Sequence, residues 1–337
     1  ALQGPVIWAA LKIVNPSAQV APLADGYFSI RIWGAPFALL NFALLGWFFG
    51  IQNTRAALAT QVIMNGVNIV LDLWFVWGFG WGVEGVAWAT LISEVSAVGL
   101  GLWLVARNLE RLGGQWRLKR ILDVTRLARM VKVNSDIFIR SICLQAAFVL
   151  VTSIGARMGD LMLAVNAILL NFQILSSYAL DGFANAAEAL AGEAVGARNR
   201  DHFRRAVKAS SLWALIFSSV FTAFFWIAGP YLIDILTTVE EVRQTARIYL
   251  PWMVVLPMIS VWSFQLDGIF IGATWTTQMR NGMVMSLIVF VCALYLLVPA
   301  LENHGLWLAF SVFMVTRALT LGAVYGRLER GIGGKIG

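Results

Sequence analysis

Residues 61–75 place four polar side chains in a stretch that is otherwise apolar enough to belong to a membrane-spanning helix. Gln61, Asn65, Asn68 and Asp72 fall at positions i, i+4, i+7 and i+11, so on an α-helix they form one stripe. A carboxylate near the middle of a membrane helix costs about 2.5–3.5 kcal/mol and is rare unless it is used. The stripe therefore predicts a functional site inside a membrane domain, with a polar seam that only joins helices as the alternative.

The composition places the rest of the chain in a membrane as well. Of its 337 residues, 59% are hydrophobic and 13% are charged, whereas a soluble domain is about 45–50% apolar and about 25% charged. The net charge of +7 is typical of cytoplasmic loops enriched in Lys and Arg rather than of a nucleic-acid-binding surface. We therefore expect a lipid bilayer, and no nucleic acid, among the partners.

The sequence offers no motif of covalent or metal catalysis. It contains no P-loop, HExxH or GxSxG pattern. Cys143 and Cys292 lie in apolar segments without the spacing of metal ligands, and His202 and His304 have no partner pattern. We predict a protein that is not an enzyme and that holds no metal or cofactor.

Apolar stretches predict nine spans and part of a tenth. Residues 1–14 are too short to span a bilayer and are interpreted as the second half of a helix, followed by a polar loop at 15–26. Pro36 is predicted to bend the first full span. The full spans are predicted at 27–50, 57–77, 84–106, 134–156, 160–192, 205–228, 243–272, 278–299 and 303–327.

Residues 107–132 interrupt this pattern. They contain eight Lys or Arg against Glu110 and Asp123, with leucines and Trp116 on an apolar side. This pattern predicts a basic amphipathic linker on the cytoplasmic face, and the other basic turns then fall on the same side.

The two halves of the chain resemble each other. Short matching motifs recur in the same order and at a similar offset: Met64-Asn65-Gly66 with Arg280-Asn281-Gly282, and Gly85-Val86-Ala87-Trp88-Ala89 with Gly305-Leu306-Trp307-Leu308-Ala309. Transporter folds are often built from such repeats of membrane helices, with the site between the halves. We predict a partial N-terminal lobe at 1–106, the linker at 107–132, a six-helix C-terminal lobe at 133–330 and a tail at 331–337. The N-terminal lobe is expected to lack about two and a half helices.

Further polar residues of the first half are candidates for the cavity around the stripe. Thr90 and Glu94 lie four apart and could face it, although Glu94 could instead lie at the hydrated interface. Asn41 could line the same cavity or bond to a carbonyl that Pro36 leaves free.

Three carboxylates of the second half, Asp181, Glu188 and Asp267, are interpreted differently. They lie close to small residues such as Gly182, Gly192 and Gly268. Small residues mark close helix contacts, so these carboxylates are favoured as hydrogen-bonding pins between helices over functional groups.

The chain resembles the multidrug and toxic compound extrusion (MATE) transporters, and within them the DinF-like subfamily. The resemblance covers essentially the whole chain and implies two pseudo-symmetric six-helix lobes, alternating access and cation-driven efflux of organic compounds. The stretches that carry it are 34–55, 65–90, 164–172, 178–198 and 266–281.

The resemblance also implies roles for particular residues. An Asn and an Asp four apart on the family's fifth helix, with a Thr on the sixth, belong to a cation site, and they match Asn68, Asp72 and Thr90. The family's other key carboxylate lies on its first helix, which we expect to precede residue 1. The Asp of the sodium-driven branch does not align cleanly with Asp267, so that role is not transferred.

The sequence thus predicts a monomeric antiporter of a bacterial cytoplasmic membrane that exports small organic compounds against entering protons or sodium ions. A flippase of lipid-linked sugars with the same fold is one alternative. A membrane scaffold without transport is another, but it leaves the stripe unexplained.

Overall fold

The computed structural model describes residues 4, 20–112 and 122–332, and these residues are almost entirely helical. They form two compact units, Ala1–Leu118 and Lys119–Gly337, each with a hydrophobic core of its own. The boundary falls inside the predicted linker 107–132, of which residues 113–121 lie outside the described part. The predicted helix fragment 1–14, apart from Gly4, and the tail from residue 333 also lie outside it.

The first unit contains four α-helices and two short helical segments of other types in its described residues. Its elements are α1 (Val20–Arg31), a 3₁₀ segment (Ile32–Gly34), α2 (Ala35–Gly50), α3 (Thr54–Asp72), a π-helical segment (Leu73–Gly78) and α4 (Gly82–Leu112).

Two predictions for this unit have clear outcomes. The chain is already helical at Val20, so the predicted loop 15–26 is wrong for residues 20–26. These residues are mainly apolar, and Pro22 near the start of α1 needs no helical N–H bond. Pro36 lies in the first turn of α2, directly after the 3₁₀ segment, so the helix is interrupted where the proline was predicted to bend it.

The second unit consists of five long helices in its described residues. They are α5 (Val124–Arg157), α6 (Asp160–Gly196), α7 (Arg200–Leu236), α8 (Glu240–Gly272) and α9 (Thr276–Gly331). Most extend beyond the predicted spans, because hydropathy marks only the part of a helix that lipid surrounds.

Helix α9 has 56 residues, and a straight helix of that length would be about 84 Å long, far more than a bilayer's hydrocarbon core of about 30 Å. Its backbone breaks at Glu302, where φ is 49° and ψ is −126°. The break separates the predicted spans 278–299 and 303–327, which confirms that α9 contains two of them.

Eight helices of the described residues are long and apolar enough to cross a membrane, in agreement with the predicted multi-pass integral membrane protein. Most turn a large share of their apolar surface outward, as helices in lipid do. Helix α8 differs, because 61% of its most apolar stretch of 18 residues is buried, and the helix packs against α6, α7 and α9. Gly268 and Gly272 let α8 approach α6 closely, since a Cβ at either position would collide with the main chain of Ala184 or Glu188.

Candidate functional site

The polar stripe lies on α3, which packs against α4 in the first unit. Asn65 is exposed, whereas Gln61, Asn68 and Asp72 are half-buried. From Asn65 onward the stripe therefore turns from the surface towards the contact with α4 as it approaches the end of the helix.

Asn68 and Thr90 meet across the contact between α3 and α4. The Thr90 hydroxyl donates to the carbonyl oxygen of Val86 at 2.8 Å, which leaves its lone pairs free to accept. The Asn68 amide nitrogen donates to that hydroxyl oxygen at 3.4 Å. The structure therefore brings together two of the three residues predicted for the cation site.

Asp72 is the last residue of α3 before the helix widens into the π-helical segment Leu73–Gly78. Its Oδ1 atom is buried and has no hydrogen-bond partner among the described residues. Buried polar atoms are nearly always bonded, so an orphaned carboxylate oxygen calls for an explanation such as an ion, a proton or an unseen partner. Short π segments inside α-helices often mark functional sites.

Aromatic rings hold the chain just beyond Asp72. The rings of Phe75 and Trp81 have centroids 5.1 Å apart, and those of Phe79 and Trp81 are 5.4 Å apart. The main-chain N–H of Trp81 also donates to the carbonyl oxygen of Phe75 at 3.0 Å. This packing holds the turn between α3 and α4 and the π-helical segment that follows Asp72.

The groups at this place are suited to a hard monovalent cation or a proton. A carboxylate, an amide and a hydroxyl supply oxygen donors, which sodium prefers over nitrogen or sulfur. Within the ranges the structure describes, no group of three or more His, Cys, Asp or Glu could hold a transition metal.

Glu94 and Asn41 are directed elsewhere. The Arg31 guanidinium donates to both carboxylate oxygens of Glu94, at 2.9 and 3.1 Å, and Glu94 is only 8% exposed. Gly34 makes room for this pair, since a Cβ there would lie 2.5 Å from Glu94 Oε2. Asn41 donates to the main-chain carbonyl of Glu94 at 3.1 Å, so its partner lies on α4 and is not a carbonyl freed by Pro36.

Asp267 in the second unit is the centre of a buried charge cluster. Its Oδ2 accepts hydrogen bonds from Arg140 at 2.5 Å and from Arg317 at 2.7 Å. The Arg317 guanidinium also lies 5.5 Å from the ring centroid of Phe264 and 5.6 Å from that of Phe313. The carboxylate links α8 to α5 and α9 through ion pairs.

Asp181 and Glu188, which were also predicted to be hydrogen-bonding pins, differ from Asp267 in their contacts. Asp181 is exposed and interacts electrostatically with Arg140 and Arg317. Glu188 is half-buried. Neither side chain forms a hydrogen bond among the residues that the structure describes.

Sequence reasoning missed the arginines and one aspartate of this unit. Arg140 and Arg317 interrupt apolar runs, and Asp136 is buried while it accepts bonds from Thr276, Thr277 and Arg280. A signal for them exists, because a charged residue inside a membrane helix implies a partner of opposite charge. That rule holds for arginines as it does for carboxylates.

The comparisons with known proteins decide the family. The family model MatE matches residues 7–74 and 137–298. The DNA damage-inducible protein F of Escherichia coli (strain K12) is 41% identical over 330 residues, which are 97% of this chain and 71% of that protein. The chain belongs to the MATE family. Its members are transporters and not enzymes, and the predicted resemblance to the DinF-like subfamily is confirmed.

More distant relatives agree. Protein DETOXIFICATION 42 of Arabidopsis thaliana is 28% identical over 310 residues, 91% of this chain and 58% of that protein. A solved structure described as the outward-facing conformation of a multidrug resistance MATE family transporter matches with a TM-score of 0.87 at 20% identity, covering 96% of this chain and 73% of that one. The fold is therefore of the MATE type. The similarity to a bacterial relative and the eight apolar helices agree with the predicted bacterial cytoplasmic membrane.

Proposed function

We propose that this MATE-family protein is a secondary antiporter that exports small organic compounds, cationic or amphipathic, against entering protons or sodium ions by alternating access. The observation that supports the ion-coupling part of this proposal is that Oδ1 of Asp72 is buried and has no hydrogen-bond partner within the described residues. Asp72 lies in the first unit, together with the hydrogen-bonded pair Asn68 and Thr90, whose side chains carry two further oxygen atoms.

The reason is electrostatic. A carboxylate without a cationic partner in a low-dielectric environment is stabilised by either a proton or a metal cation. If the two access states differ in their affinity for that ion, an ion gradient shifts the equilibrium between them. The same carboxylate can thereby couple ion entry to solute exit.

The comparisons support the export of small compounds. The relatives include one named multidrug export protein MepA of Staphylococcus aureus, which is 21% identical over 285 residues, 82% of this chain and 60% of that protein. The choice of compound and of coupling ion is part of the proposal.

The test uses the protein expressed from its complete reading frame and reconstituted in liposomes loaded with a fluorescent organic cation. A pH gradient and a sodium gradient are imposed separately, with protein-free liposomes as the control. We expect one gradient to accelerate efflux and the matching ionophore to abolish the acceleration. An efflux rate that neither gradient changes would overturn the proposal. Transport of a labelled lipid-linked sugar in place of the organic cation would also overturn it.

A further inference from the structure

A cleft of about 300 Å³ lies at one end of the first unit, far along α3 from Asp72. It is formed by the turn before α3, the first two turns of α3 and the end of α4. Its lining comprises Asn53, Arg55, Ala56, Ala59, Leu104, Arg107 and Asn108.

The cleft is basic, and its lining contains no acidic side chain. Arg55 and Arg107 are both exposed, and neither forms an ion pair among the described residues. Arg55 lies in the first turn of α3, a helix of 19 residues whose N-terminal end carries a partial positive charge. All of these contributions favour an anion.

The base of the cleft is held by hydrogen bonds before any ligand arrives. Asn53 Oδ1 accepts from the Ala56 N–H at 3.1 Å, and Asn53 Nδ2 donates to Asn108 Oδ1 at 3.4 Å. Asn108 in turn donates to the Leu104 carbonyl at 2.7 Å. The start of α3 and the end of α4 are thereby joined, so the main chain that carries the two arginines is held in place.

An apolar surface continues from this basic end along α4. Trp103 is 56% exposed and lies 5.6 Å beneath the Arg107 guanidinium, and Leu102 is 47% exposed beside it. A free phosphate ion needs only hydrogen-bond donors around it. The acyl chain of a lipid, in contrast, needs an apolar surface such as the one formed by Trp103 and Leu102. The basic segment that follows α4 puts this end on the cytoplasmic side by the positive-inside rule.

We propose that the cleft binds the headgroup phosphate of an anionic phospholipid of the cytoplasmic leaflet, with Arg55 and Arg107 as the phosphate ligands. The cytoplasmic leaflet is rich in anionic lipid, and basic pockets between membrane helices on that side recognise such headgroups. The lipid would bridge the start of α3 and the end of α4 in the unit that carries Asp72.

The test compares lipid binding by wild type and by the double variant Arg55→Gln/Arg107→Gln. Detergent-purified protein is titrated with phosphatidylglycerol or phosphatidylcholine, and bound lipid is counted by native mass spectrometry. Each basic residue near an anionic lipid contributes about five-fold in affinity, so the double variant should bind the tightest phosphatidylglycerol about twenty-five-fold more weakly. Binding of phosphatidylcholine should not change.

The matched control is Arg205→Gln/Lys208→Gln, which removes two exposed positive charges from α7 in the second unit. If both double variants lost the same affinity for phosphatidylglycerol, the lipid would be attracted only by the net charge of the protein, and the proposed site would be wrong. Unchanged binding in Arg55→Gln/Arg107→Gln would also show the site to be wrong. Binding of glycerol phosphate as tight as that of phosphatidylglycerol would show that the acyl chains contribute nothing and would overturn the lipid as the ligand. A melting curve like that of wild type excludes misfolding as the cause of any loss.

Discussion

Arg317 donates a hydrogen bond to Asp267 at 2.7 Å in the interior of the second unit, where Arg317 is 2% and Asp267 4% exposed. With Arg140 on the same carboxylate oxygen, Asp267 is neutralised by the protein itself. Asp72 has the opposite environment, because one of its oxygens is buried without any partner among the described residues. We therefore propose that Asp72, rather than Asp267, meets the exchangeable ion, whereas Asp267 joins α8 to α5 and α9 through its ion pairs.

The first prediction is that Asp267→Asn destabilises the protein strongly. The change leaves the buried Arg317 and the half-buried Arg140 without their counter-charge, and breaking a buried pair in this way costs about 3–5 kcal/mol. We expect a large drop in the free energy of unfolding, measured by denaturant titration in detergent. Asp201→Asn, at an exposed position in the first turn of α7, is the matched control and should change the free energy of unfolding by less than about 1 kcal/mol.

Combining the variants separates the pair from the rest of the cluster. Asp267→Asn/Arg317→Gln should be less destabilised than the sum of the two single variants, because both buried charges are then removed together. Strict additivity would contradict the ion pair.

The second prediction concerns the close contact of α8 with α6. A Cβ at Gly268 would collide with the main-chain carbonyl of Ala184, and the main chain cannot yield as a side chain can. Gly268→Ala should therefore lower the free energy of unfolding by about 1–3 kcal/mol. Gly182→Ala, where nothing lies within 4 Å of the added Cβ, should be neutral or slightly stabilising. Equal stability of the two variants would argue against the contact.

The third prediction separates Glu94 from the ion-coupling group. Because its carboxylate already accepts two hydrogen bonds from Arg31, Glu94→Gln should cost about 1–3 kcal/mol of stability. Efflux per folded molecule should remain near wild type, measured in proteoliposomes under the productive gradient. The control is Glu241→Gln at an exposed position in the first turn of α8, which should change stability by less than about 1 kcal/mol and leave efflux unchanged. Loss of gradient-driven efflux in Glu94→Gln alone would show that Glu94 takes part in coupling.

Much of the fold could be predicted from the sequence because hydropathy reports directly on membrane helices. The break at Glu302 and the interruption before Pro36 were both predictable, since a polar gap and a proline act locally. The meeting of Asn68 with Thr90 was predictable too, because the two residues lie on helices joined by a short turn.

The charge cluster around Asp267 could not be derived in the same way. Arg140 and Asp267 are 127 positions apart, and Arg317 is 50 positions from Asp267, so no periodicity links them. The orientation of Glu94 towards Arg31 depends in turn on the space that Gly34 leaves, which is a property of three packed elements. The π-helical segment after Asp72 could not be predicted, because nothing in the apolar sequence Leu73–Gly78 distinguishes a π-helix from an α-helix.

The last prediction is that Asp72→Asn folds normally but loses gradient-driven efflux. The substitution keeps the volume and the helix and removes the ionisable group, so stability should change by less than about 1 kcal/mol while coupled efflux falls at least ten-fold. Asn68→Ala should reduce coupling less, because it removes the partner of Thr90 and leaves the carboxylate in place. The alternative of a purely structural seam predicts the reverse, since an asparagine hydrogen-bonds between helices about as well as a protonated aspartate. Asp72→Asn would then transport like wild type, and only an apolar substitution such as Asp72→Leu would be harmful. Efflux of a fluorescent cation from vesicles under proton and sodium gradients, measured beside a melting curve and with Asp201→Asn as control, decides between the two.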